Sequence, residues 1–226
     1  MDPDFFPIPD PGSRSQKGTG FRIRIRNTGL LCMNQKNLCR IWSSSEGKSL
    51  QTLMLPQGPK LGHNVQYFIT CHWLDSETLL SGGVGGELVR WHLGRPGKKG
   101  GYEFEILHRV HNRSIFSLCT AADKGGAVTV YSVGQDRSLA VYDLTAGRLV
   151  YSLPSLNGFV YCLAVNPVEP NWLAVGAGDG LIRLWNLGSQ QLFDVIYVRL
   201  NQAKIMSMAW HPTRSALHIL ILIQRE

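Results

Sequence analysis

Three side chains near the middle of the chain have the types needed for acyl transfer: His111 as base, Ser132 as nucleophile and Asp136 as orienting carboxylate. A serine activated in that way sits on a strained turn of the Gly-x-Ser-x-Gly kind, and none surrounds Ser132. The same three residues, joined by the aromatic Tyr142, suit a structural task instead. A carboxylate in a tight turn accepts hydrogen bonds from local donors and holds the register of the flanking strands. Asp179 and Trp185 repeat part of the set 43 residues further on. His111, Ser132, Asp136, Tyr142, Asp179 and Trp185 are therefore read as a structural network, and no residue is assigned to catalysis.

Other reactive side chains are scattered. Cys32, Cys39, Cys71, Cys119 and Cys162 form no CxxC pair and, being odd in number, cannot all be bridged, so they read as buried reduced thiols. His63, His72, His92 and His108 lack ligand spacing, and there is no phosphate loop or acid/base pair. No metal, no cofactor and no enzymatic activity is expected.

The elements that position these residues follow from internal repetition. Segments ending in an aromatic residue recur as Leu38-Cys-Arg-Ile-Trp42, Glu87-Leu-Val-Arg-Trp91, Ser138-Leu-Ala-Val-Tyr-Asp143 and Leu181-Ile-Arg-Leu-Trp-Asn186, with the aromatics 49, 51 and 43 apart. A second column, Cys71, Leu118, Leu163 and Met208, repeats at 47, 45 and 45. A period near 45 built from four short strands is that of WD-type propeller blades. The composition agrees: only 17% of residues are charged, while 44% are hydrophobic and 24 are glycine.

The expected fold is all-β, a partial WD-repeat β-propeller of about three full four-stranded blades plus the start of another. Residues 1–20 read as a disordered leader, 21–213 as the blades and 214–226 as an atypical, truncated tail with no glycine turn and no closing aromatic. Phe21-Arg-Ile-Arg-Ile-Arg26 alternates apolar and basic residues like a strand, though its register is uncertain. In the first and second repeats Lys36 and Gly85 replace the turn aspartate, so those blades should be less tightly locked. Closing a ring commonly takes about seven blades, so an open arc is expected. No run approaches the ~20 apolar residues of a membrane span, and the first residues lack the pattern of a secretory signal, which implies an intracellular protein without a membrane partner.

A resemblance enters through Tyr151-Ser-Leu-Pro-Ser-Leu-Asn-Gly-Phe-Val-Tyr-Cys-Leu-Ala164, Leu173-Ala-Val-Gly-Ala-Gly-Asp-Gly-Leu-Ile-Arg-Leu-Trp-Asn186 and Lys204-Ile-Met-Ser-Met-Ala-Trp-His-Pro-Thr213. With Gly85–Trp91 and His111–Leu118 in the same order, roughly residues 30–213 resemble the large WD-repeat Gemins of the SMN complex, along the later blades of their first propeller. The resemblance implies an RNA-binding subunit that recognises the Sm site and the 7-methylguanosine cap of small nuclear RNA. It also implies work in spliceosomal snRNP assembly, mRNA processing and translation control. The expected partners are snRNA and other capped RNA, SMN and the other Gemins, and the ribosome; the expected locations are the cytoplasm and the nucleus, including nuclear gems.

By the same resemblance Phe159 and Phe68 are the aromatic faces that would sandwich the cap, Phe68 standing where the family typically has tryptophan, and Arg113 is the arginine beside it. A methylated guanine is a flat cation, which stacking and cation–π attraction both favour, while a guanidinium can pair with phosphate oxygens in a bidentate way. Tyr161 either supports Phe159 or packs between strands. Arg95, Lys98 and Lys99 read as a solvated loop. The net charge of +7 and pI near 9.3 fit a polyanionic partner. The alternative is a WD-repeat protein–protein interaction scaffold without RNA binding.

Overall fold

The computed structural model describes residues 22–24, 30–35, 38–43, 47–54, 68–94, 101–122, 125–153, 158–189, 191–197, 204–214 and 216–222. The expected leader, Lys36, His63, the Arg95–Lys99 loop and the last four residues lie outside them. Every described element is a strand, and each sheet is an antiparallel meander.

The first sheet orders β1 (Arg22–Arg24), β2 (Leu30–Gln35), β3 (Leu38–Ser43) and β4 (Ser49–Leu53). The second runs β5 (Phe68–Trp73), β6 (Thr78–Gly83), β7 (Glu87–Leu93) and β8 (Tyr102–Arg109). The third comprises β9 (Ile115–Ala122), β10 (Val128–Gly134), β11 (Leu139–Asp143) and β12 (Arg148–Leu153). The fourth comprises β13 (Val160–Val165), β14 (Trp172–Ala177), β15 (Leu181–Asn186) and β16 (Gln191–Tyr197), and the fifth pairs β17 (Lys204–Trp210) with β18 (Leu217–Leu222). The expectation of about three full sheets is thus exceeded by one. Arg22–Arg24, within the alternating segment, pairs with β2 and completes the first sheet. Part of the tail, Leu217–Leu222, is hydrogen-bonded to β17 along its length.

Why the sheets stack is visible in their pleats. Successive residues of a strand point to opposite faces, so Leu79 joins the layer between the first and second sheets while Leu80 joins the layer between the second and third. Two further layers, around Tyr131, Leu139 and Val175 and around Ile182, Ile205 and Met208, fill the third and fourth gaps. The second strands β6, β10 and β14 are therefore buried along most of their length, as expected for strands covered on both sides.

The first strands β5, β9, β13 and β17 lie beside one another as the inner wall of the arc. Each carries an irregularity in its opening turn: Phe68/Thr70, Ile115/Ser117, Val160/Cys162 and Ile205/Ser207 straddle one unpaired residue. This shared bulge makes Phe68, Ile115, Val160 and Ile205 equivalent by register, a fact that decides the fate of one expected site residue.

Candidate nucleic-acid interface

At one end of the sheets the loops that open β9 and β13 meet hairpin turns between second and third strands. The backbone N–H groups of Val110 and His111 donate to Gly86 O, 3.0 and 3.2 Å away. Ser114 Oγ donates to Val84 O at 3.2 Å. Gln135 N donates to Ser114 O, and Gly178 N to Phe159 O, both at 2.8 Å. The loops that open the third and fourth sheets are thereby fastened to hairpin turns, which gathers residues remote in sequence onto a common rim.

In the third sheet His111 is hydrogen-bonded to both Asp136 and Ser132, and among the described residues no hydrogen bond joins Tyr142 to them. His111 Nδ1 lies 2.9 Å from Asp136 Oδ1 and 2.9 Å from Ser138 Oγ, and its Nε2 lies 2.9 Å from Ser132 Oγ. Asn112 N donates to Asp136 Oδ2 at 2.9 Å, and Ser138 Oγ donates to Oδ1 at 2.8 Å. Partial burial pushes the Asp136 carboxyl upward, but the bonds from His111, Asn112 and Ser138 outweigh it and hold the group well below the usual carboxylate range. Ser138 is a member that the spacing did not reveal. Tyr142 is buried in the layer between the second and third sheets, its ring stacked on His108 at 6.1 Å.

The fourth sheet is built differently. Asp179 receives both guanidinium nitrogens of Arg183, at 2.7 and 3.4 Å, and the backbone N–H of Leu181 at 3.0 Å. Trp185 occupies the register position of Trp91, since each faces the second residue of the adjoining strand, Leu173 and Leu79. Trp91 Nε1 donates to Ser81 Oγ at 2.8 Å. Val175 stands at the position of Ser81, and the buried Trp185 Nε1 has no partner among the described residues.

Of the residues expected to read a cap, the structure presents two at the rim. Phe159 is 40% exposed, and the Cζ of Arg137 sits 4.9 Å from its ring centroid. Arg113 is exposed in the loop that opens β9, one residue from the Asn112–Asp136 hydrogen bond. Arg137 belongs to the 134–138 turn, which bonds to the Arg113 loop on one side and covers Phe159 on the other. Sequence reading missed it, yet it has a conformational signature. Arg137 has φ 62°, whereas the equivalent turn residues Gly86 and Gly180 are glycines at 92° and 75°. A left-handed non-glycine residue costs of order 1 kcal/mol or more, and such strain concentrates at functional sites.

The expectation that Phe68 offers a stacking face is corrected. Only 3% exposed, it meets the Trp91 ring edge-on at 5.4 Å. Its register equivalents Ile115 and Val160 are core residues, so Phe68 points into the layer between sheets. Tyr161, at the bulge, stacks on Phe116 at 5.7 Å and 20°, packing between the third and fourth sheets. Away from the rim, His72 Nε2 lies 3.1 Å from Thr120 Oγ1, and burial lowers its pKa to about 4. Burial likewise pushes the Cys162 thiol up to about 12. Among the described residues, no group of three or more His, Cys, Asp or Glu is placed to hold a metal, and no helix is long and apolar enough to cross a membrane.

Comparison with known proteins places these observations in a family context. The family model "WD domain, G-beta repeat" matches residues 147–186, which run from the outer strand β12 through β13, β14 and β15 of the next sheet. Gem-associated protein 5 of Mus musculus is 33% identical over 187 residues, 77% of this chain, and its Homo sapiens counterpart is 32% identical over the same share. The chain spans 12% of the length of these relatives. The GATOR2 complex protein WDR24 of Xenopus laevis is 20% identical over 84% of the chain. A chain in the crystal structure of the mitotic checkpoint complex superposes with TM-score 0.65 at 17% identity, covering 87% of this chain and 55% of that one, a likeness of fold alone.

Proposed function

We propose, for a WD-repeat propeller arc similar to part of Gem-associated protein 5, a role as an RNA-binding subunit of an SMN-type complex that engages the cap of small nuclear RNA at the rim around Phe159. The observation that carries the reading is the half-exposed Phe159 ring with the Arg137 guanidinium over it, 4.9 Å away. The exposed part of the ring offers an aromatic surface to a flat cationic base, and Arg137, which lies over one face of it, a cation for the phosphates that follow. Arg113 adds a second cation at the same rim.

Stacking on one aromatic residue is worth about 1 to 3 kcal/mol per base. Two cations beside it act on the phosphates, so affinity should fall as salt rises. Recognition of the Sm site, association with SMN, the other Gemins and the ribosome, and residence in cytoplasm and nuclear gems belong to the same proposal, carried by similarity to a far longer protein. The chain's part in it is binding, not catalysis.

The test is competition between capped and uncapped RNA of one sequence. Capped RNA should compete at least about tenfold better, and Phe159→Ala should remove the difference; equal competition by the two RNAs would refute the reading. A scaffold without RNA binding is the second reading, favoured by Phe193 and Tyr197 on the outer strand β16, 67% and 71% exposed. Partner capture that survives ribonuclease and is lost in Phe193→Glu would support it.

A further inference from the structure

The third and fourth sheets hold the same turn carboxylate by different means. Where Ser132 bonds His111 in the third sheet, the fourth has Val175, and the residue that precedes Val160 by the same four positions as His111 precedes Ile115 is Leu156. Arg183, 8% exposed, stands at the register position that is Val89 in β7 and Ala140 in β11. A buried guanidinium in an apolar slot needs a carboxylate partner, and Asp179 provides both oxygens.

What this ion pair holds is the link to Phe159. Asp179 Oδ1 accepts from Leu181 N at 3.0 Å and so shapes the turn; Gly178 N, one residue before, donates to Phe159 O at 2.8 Å. On the other side of the same loop, the Asp179 side chain lies 3.8 Å from the space above Gly158. We propose that Arg183 is a positioning residue for the rim: through Asp179 it fixes the Gly178–Gly180 turn, and through the Gly178 hydrogen bond it sets where the Phe159 ring stands. Arg183 itself touches no ligand. The inference rests on the cap-binding reading, but the clamp can be observed without RNA.

The experiment compares wild type, Arg183→Lys and Arg183→Ala in the full chain by titration with 7-methylguanosine triphosphate and GTP. It also follows hydrogen exchange at the Gly178 amide and the thermal melt of each protein. Losing the preorganisation of one side chain should weaken 7-methylguanosine triphosphate binding about fivefold in Arg183→Ala. Gly178 exchange should rise while a cooperative melt persists, and Arg183→Lys should recover much of both. A lowered melting temperature with unchanged affinity and unchanged Gly178 exchange would overturn the proposal, leaving Arg183 a stabilising residue only. Should wild type fail to prefer the methylated nucleotide, the cap reading falls, and the exchange arm still decides the clamp: faster exchange in Arg183→Ala sustains it, unchanged exchange removes it.

Discussion

The third and fourth sheets carry the same carboxylate at the same turn, Asp136 and Asp179, and satisfy it with different chemistry. In the third, His111 is hydrogen-bonded on both ring nitrogens to Asp136, Ser138 and Ser132. In the fourth, one arginine from the same hairpin binds the carboxylate, and the Trp185 indole has no acceptor among the described residues. The contrast teaches that the blade requires a restrained turn, not a particular partner. The closed network sits beside the strained Arg137, while the simpler ion pair belongs to the turn whose Gly178 N–H bonds Phe159 O.

The largest expected effect breaks the closed network. His111→Ala leaves Asp136 and Ser132 short of partners at a buried site and should cost about 3 kcal/mol or more, read from urea unfolding. Acid should reach the second and third sheets next, because His72 joins β5 to β9. Its pKa is about 4 in the fold against 6.5 for the free side chain, so the folded state favours the neutral ring. Stability is then full above about pH 6.5 and declines as pH falls toward 4, by about 3 kcal/mol, and His72→Gln should flatten that decline. Asp136, held low in the fold, adds a further loss only below its ordinary value near 3.9.

Arg183→Ala should cost less than His111→Ala, about 1 to 2 kcal/mol, because Asp179 keeps access to solvent and can rehydrate. The smallest effect is the sharpest probe of the comparison. Val175→Ser would rebuild the acceptor that Ser81 offers Trp91, so it should be about 1 kcal/mol more stable than Val175→Ala. Equal stabilities would show that the orphaned indole costs nothing.

How much of this could be read beforehand follows from what each feature depends on. The blades are legible because burial on both faces imposes strand alternation and a period near 45, and His111, Ser132 and Asp136 could be joined because their types fit one repeat. Phe68 turned out to be a core residue: along a strand one residue decides between core and surface, and the bulge that sets the phase cannot be read from composition. Arg137 was invisible because its reach depends on a left-handed backbone that its residue type does not favour. Arg183 was hidden in an ordinary strand pattern, its role arising only from Val175 and the missing histidine in the same sheet.

The central claim is that the arc brings Arg137 and Phe159 together as one binding feature. A double-mutant cycle on 7-methylguanosine cap-analogue affinity, with Arg137→Ala, Phe159→Ala and both, tests it most directly. Each single change should weaken binding, and the two should be coupled by about 1 kcal/mol. Additive losses, or wild-type affinity in Phe159→Ala, would contradict it.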